Sequence, residues 1–200
     1  MPVKKNSEIN EFLILACLIF AGSVVEVFAA IGMVYDLREF GYSMLILFVL
    51  AVVYGVKIIS LREWHQGFLV AGILLFLRGI AIAFFVILLI RTGDSGTCCI
   101  VVAGILSILA DLLLGTGMEG VVQEDSNGLK WAWAIWKYAG VMIGIVVTYV
   151  SYVCVMKFFS FAYSLDMIKM QKLFLYAFLA YWVFRVIQGI LMAITAKVMK

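Results

Sequence analysis

The sequence predicts an all-α integral membrane protein, a compact bundle of six transmembrane helices, and three observations carry that reading. The chain is 66% hydrophobic and 14% charged, whereas soluble domains sit near half and about a quarter. Its mean hydropathy is +1.15. Its apolar residues gather into runs long enough to cross about 30 Å of hydrocarbon, which takes roughly 20 helical residues. A closed barrel also satisfies its backbone in lipid, but its strands alternate between lipid and a polar lumen. Runs such as FLVAGILLF (68–76) and VILLI (86–90) are apolar on every face.

The first run, 12–35, follows Lys4 and Lys5 and contains the small residues Ala21, Gly22 and Ser23, features shared with secretory leaders. Glu8 and Glu11 in the would-be basic region, and an apolar stretch that continues to Tyr35, make it a span instead. The second span covers 42–60 and the third, 68–90, has Arg78 at its centre. The fourth, 97–118, opens on Cys98-Cys99 and carries Asp111. The fifth, 131–156, contains Gly140-xxx-Gly144, a spacing that lets another backbone approach closely. The sixth, 173–195, carries Tyr181, Arg185 and Gln188 on one face. Together the spans occupy about two thirds of the 200 residues, so residues 1–200 read as a single polytopic membrane domain. The only proline is Pro2, and no span is kinked by that residue.

Lys and Arg near span ends set orientation. With the N-terminus cytoplasmic, the inner side holds Lys4, Lys5, Lys57, Arg62, Lys130, Lys137, Lys197 and Lys200, and the outer side Arg38, Arg91, Lys157, Lys169 and Lys172. That asymmetry favours both termini in the cytoplasm. The net charge of +3 is scattered, so the expected surroundings are the lipid bilayer and not nucleic acid. Cys17, Cys98, Cys99 and Cys154 form no framework and read as small apolar residues.

Glu26, Arg78, Asp111 and Arg185 cannot be moved to an interface by shifting span ends. All four lie within about 5 Å of the midplane by helical rise. Each facing lipid alone would cost roughly 2.5 to 3.5 kcal/mol. They must face the bundle interior, where two acids and two bases sum to zero. The expected arrangement sets Glu26 and Asp111 against Arg78 and Arg185, through guanidinium-carboxylate bonds. Helical spacing places Ser23 and Ala30 beside Glu26, Gly104 and Ser107 beside Asp111, and Thr148 and Ser151 beyond Gly144. Such a quartet either fixes helix register as a dry network or lines a pathway for an ion, proton or small polar solute.

A partial echo links the halves. EVFAAIGM (26–33) resembles DLLLGTGM (111–118), and Phe76-Leu77-Arg78 resembles Val183-Phe184-Arg185. Three spans per half would make this a 3+3 inverted repeat, an arrangement found in transporters. A second echo, Leu37-Arg38-Glu39-Phe40 and Leu61-Arg62-Glu63-Trp64, is ordinary interfacial anchoring.

Enzymatic motifs are missing. The single histidine, His65, reads as an interfacial headgroup contact. No His/Cys cluster has metal-ligand spacing, and no Gly-x-Ser-x-Gly elbow occurs. Gly115, Gly117 and Gly120 fall where a span ends, as a helix stop would, and not as a phosphate loop. No enzyme activity, cofactor or metal is expected. Residues 119–130 read as a mobile connection and 157–172 as an interfacial helix.

The functional expectation is a channel or secondary transporter with Glu26, Arg78, Asp111 and Arg185 at a midplane site, assisted by Gln188, Ser107 and Thr148. The alternative is a non-catalytic organiser, adaptor or accessory subunit, with the charge quartet fixing register and assembly, that meets itself or a membrane-protein partner through the small-residue face of the fifth span, Gly140, Gly144, Thr148 and Ser151. Protease protection on sealed vesicles checks the topology: tags at both termini should be cut together, from the cytoplasmic side. Opposite accessibility of the two tags would remove the even number of spans.

Overall fold

The apolar runs form six helices in the computed structural model, which describes residues 2–35, 37–92, 97–122, 126–159 and 166–198. They are α1 (Pro2–Tyr35), α2 (Leu37–Ser60), α3 (Gln66–Thr92), α4 (Thr97–Val121), α5 (Asn127–Phe159) and α6 (Asp166–Val198). A 3-10 turn, Leu61–Glu63, leads from α2 towards α3. Each helix contains a window apolar enough to cross a bilayer: Glu11–Ala29, Tyr42–Glu63, Gln66–Leu88, Cys98–Val121, Asn127–Val153 and Leu175–Val198. These fall within a few residues of the spans expected from sequence. The protein is an all-α, multi-pass membrane bundle.

Helices in lipid keep their backbone hydrogen bonds internal and turn apolar side chains outward. Phe28, Val49, Phe84, Ile105, Met142 and Tyr176, one from each helix in order, are all at least half exposed on the outer surface. Inside, every helix packs on its neighbours in sequence and α6 returns to α1. The six therefore make a closed ring whose cyclic order is the order of the chain.

That ring order has a consequence for the 3+3 inverted repeat. A two-fold axis in the membrane plane acts as a mirror when the bundle is viewed down its own axis, so it reverses cyclic order. Moving α1, α2 and α3 onto α4, α5 and α6 in a sequential ring preserves cyclic order. The inverted repeat therefore does not extend from the sequence echoes to the topology.

Glycines set the closest approaches. A Cβ on Gly72 would lie 2.7 Å from the Gly55 carbonyl oxygen, and one on Gly55 would lie 2.9 Å from the Gly72 carbonyl oxygen. Here α2 and α3 touch backbone to backbone. On α5, a Cβ at Gly140 would lie 2.6 Å from the Phe184 ring of α6, and one at Gly144 would lie 2.6 Å from Ile108 of α4. Gly140 and Gly144 do serve helix packing, but within the bundle. These two glycines pack against α6 and α4.

Three loop expectations also change. Helix α4 runs on to Val121 and α5 begins at Asn127, so most of 119–130 is helical; residues 123–125 lie outside the described residues. The flanks of 157–172 continue α5 to Phe159 and start α6 at Asp166, so they are not a separate interfacial helix; 160–165 lie outside the described residues. His65 is more than a headgroup contact: its Nδ1 accepts the Gly67 N–H at 2.9 Å, capping α3, and its ring meets Phe68 edge-on at 6.3 Å.

Gly72→Ala should lower the melting temperature by the equivalent of about 1–3 kcal/mol, since backbone must move to admit the methyl group. Gly22→Ala, with nothing within 4 Å of the added carbon, should be neutral or slightly stabilising. A thermal melt of each purified variant checks the contrast.

Candidate functional site

The half of the ring nearer the termini is close-packed. Phe12, Phe68, Leu114, Met118, Trp133 and Met192 are fully buried there. Phe184 stacks on Trp136 at 4.9 Å and Trp136 meets Trp133 edge-on at 5.3 Å. The Trp133 indole donates to Thr195 Oγ1 at 3.0 Å, and Thr195 donates to the Leu191 carbonyl at 2.8 Å.

A polar layer lies on this plug. Arg185 of α6 approaches Asp111 of α4 with Nη1 3.8 Å from Oδ1, an ion pair too long for a hydrogen bond. The same guanidinium nitrogen donates to Gln188 Oε1, and the Gln188 amide donates to the Tyr54 hydroxyl of α2 at 3.2 Å. Gln188 is 0% exposed. The guanidinium also lies 5.7 Å from the Tyr54 ring centre, within cation–π range. One turn of α6 thus places Arg185 and Gln188 on the same inward face, and two partners from across the ring hold them there.

Glu26 and Arg78 make no ion pair with this group among the described residues. The Glu26 residue is 5% exposed, and its Oε2 has no hydrogen-bond partner among the described residues. No ion pair joins Glu26 to Arg78, so only one of the two expected carboxylate-guanidinium contacts forms among the described residues.

Glu26 and Arg78 instead share the wall of a cavity of about 180 Å³ to which all six helices contribute. Ser107 and Gly104 of α4, Gly144, Thr148 and Ser151 of α5, and Tyr181 of α6 line it, with Met44, Leu47, Ile82, Phe85 and Phe178 as apolar wall. The lining comes from the C-terminal parts of α1, α3 and α5 and the N-terminal parts of α2, α4 and α6. It therefore extends from the polar layer towards the face that carries the α1–α2, α3–α4 and α5–α6 connections, opposite the termini. The Tyr181 hydroxyl likewise has no hydrogen-bond partner among the described residues.

Of the residues singled out from sequence, Glu26, Arg78, Ser107 and Thr148 meet on the cavity wall, whereas Asp111, Arg185 and Gln188 form the adjacent network. The expectation missed Tyr54. It also treated Lys57 and Lys137 as interface charges, yet both are paired between helices: Lys57 with Glu11 at 2.9 Å, and Lys137 with Glu119 at 2.8 Å. Lys137 reaches Glu119 because Gly115, one turn before it on α4, leaves room for the lysine stem. Among the described residues no three His, Cys, Asp or Glu side chains gather where they could hold a metal ion.

No family model matches this chain, nor does a curated protein or a solved structure.

Replacing Asp111 alone leaves Arg185 short of a counter-charge in a low-dielectric interior. Asp111→Leu should destabilise the protein by on the order of 3 kcal/mol, and adding Arg185→Met should recover a substantial part of that loss. A double-mutant cycle read by thermal melting checks the recovery; strictly additive losses would mean that the two charges are not coupled.

Proposed function

We propose that the protein is a small secondary transporter or channel for an ion or small polar solute, non-catalytic and free of cofactors, working through the midplane charges. One observation supports it above the rest: the polar wall formed by Glu26, Arg78, Ser107, Thr148 and Tyr181 borders a cavity lined by all six helices. A charge placed only to fix register has no need of such a space. The close-packed half beneath the polar layer favours a carrier caught with access from one side over a continuous pore, since a pore needs an unbroken polar path. With both termini cytoplasmic, the cavity faces away from the cytoplasm. In this scheme Glu26 and Arg78 meet the solute, and the Asp111–Arg185–Gln188–Tyr54 network is the partition that must rearrange to pass it on. The alternative, an organiser or accessory subunit in which the charge quartet fixes register and assembly, loses only the glycines of its docking face, since Gly140 and Gly144 pack against α6 and α4.

Single cysteines placed in a background with Cys17, Cys98, Cys99 and Cys154 replaced test this. At Ser107 and Thr148 they should react with a membrane-impermeant thiol reagent from the face opposite the termini. One at Gln188 should react at least about tenfold more slowly, because that side chain is 0% exposed. Inert cysteines at 107 and 148 in a folded protein would reject the pathway.

A further inference from the structure

The charges around the cavity also constrain its ligand. We propose that the site takes a small zwitterion with an ammonium and a carboxylate on the same carbon and an apolar tail, the chemistry of an aliphatic α-amino acid. This deepens the transport reading and rests on it.

Size is the first constraint. A dry cavity of roughly 150 Å³ holds benzene, so about 180 Å³ admits a molecule of leucine's size.

Charge is the second. Asp111 and Arg185 are already engaged with each other, and Arg185, Gln188 and Tyr54 are joined by hydrogen bonds. That leaves one group of each sign on the wall. The buried Glu26 carboxylate presents an oxygen with no hydrogen-bond partner among the described residues, an acceptor suited to an ammonium. Arg78, on the same wall, makes no ion pair among the described residues, and its forked donors match a carboxylate. The four layer charges sum to zero. A ligand with net charge would leave a charge unmatched near the midplane, where the low dielectric makes that costly. A zwitterion leaves the sum unchanged while matching both wall groups.

The rest of the wall is the third constraint. Met44, Leu47 and Ile82 are apolar and offer a surface on which a hydrocarbon chain can pack. Ser107 and Thr148 supply only neutral hydroxyls, so Glu26 and Arg78 are the charged groups on the cavity wall.

The test begins with the unmodified full chain in lipid nanodiscs, followed by thermal shift with three probes of equal size class. These are leucine, N-acetylleucine, which lacks the ammonium, and leucine methyl ester, which lacks the carboxylate. Leucine should stabilise with an apparent Kd at least about tenfold below either analogue, because each analogue leaves one of the two wall charges unmatched. Glu26→Gln should narrow the gap to N-acetylleucine and Arg78→Gln the gap to the methyl ester. The wild-type comparison stands even where a variant fails to fold. Phosphoethanolamine is the fourth probe: binding it more tightly than leucine would assign the site to a lipid headgroup and overturn the amino-acid class. Equal response to leucine and both analogues, or none, would overturn the zwitterion assignment. If the cysteine at Ser107 still reacts in that case, the aqueous pathway stands and only the ligand class fails. If it is inert as well, both fall.

Discussion

Ionised side chains in the middle of a bilayer must be neutralised locally, and the interior of this protein is arranged around that requirement. Each of Glu26, Arg78, Asp111 and Arg185 would be expensive alone in hydrocarbon. They become tolerable only where six helices turn inward and shield a common layer. The ring supplies such a place because α6 closes on α1, so no helix has to bury its polar face in lipid. The layer in turn divides the bundle: aromatic and aliphatic packing on the side of the termini, a cavity on the other.

Helix spacing decides how the layer is used. Where glycine removes the side chain, neighbouring helices come close enough for contacts such as Gly55 on Gly72, and polar residues reach across short gaps, as Lys137 does to Glu119. Space remains on the other side of the layer, between Met44, Arg78, Ser107 and Thr148. The quartet consequently splits. Asp111 and Arg185, bridged by Gln188 to Tyr54, behave as a buried structural network, while Glu26 and Arg78 look into the cavity. A buried network and a cavity wall thus occur side by side in one layer.

The class of fold was legible because length and composition alone determine whether a run spans a bilayer. Glu26, Asp111 and Arg185 were legible because a charge within such a run stands out against its neighbours. Helical periodicity also put Gln188 on the face of Arg185, which is where the two meet. Periodicity assigns residues to a face but not the helix that the face will meet. It could not tell that Gly140 turns to Phe184 inside the bundle, or that Arg185 comes within ion-pair distance of Asp111. Tyr54 was invisible for a related reason: a single tyrosine in an apolar helix gains a polar role only when Gln188 arrives from α6. The division into plug and cavity was likewise hidden, since both halves are lined mainly by apolar residues of similar composition.

The closed ring also bears on how the protein is assembled. Chains emerge N-terminus first, and a ring whose cyclic order follows the chain allows each helix to settle against the one made just before it. Asp111 enters with the fourth helix, but its ion-pair partner Arg185 is on the last. Until α6 is inserted, two acids share the interior with the single guanidinium of Arg78, and α1 and α5 present open edges to lipid. The final helix therefore completes the electrostatic balance and the enclosure in one step, which makes an unfinished or truncated chain chemically distinguishable from a finished one by surveillance in the membrane.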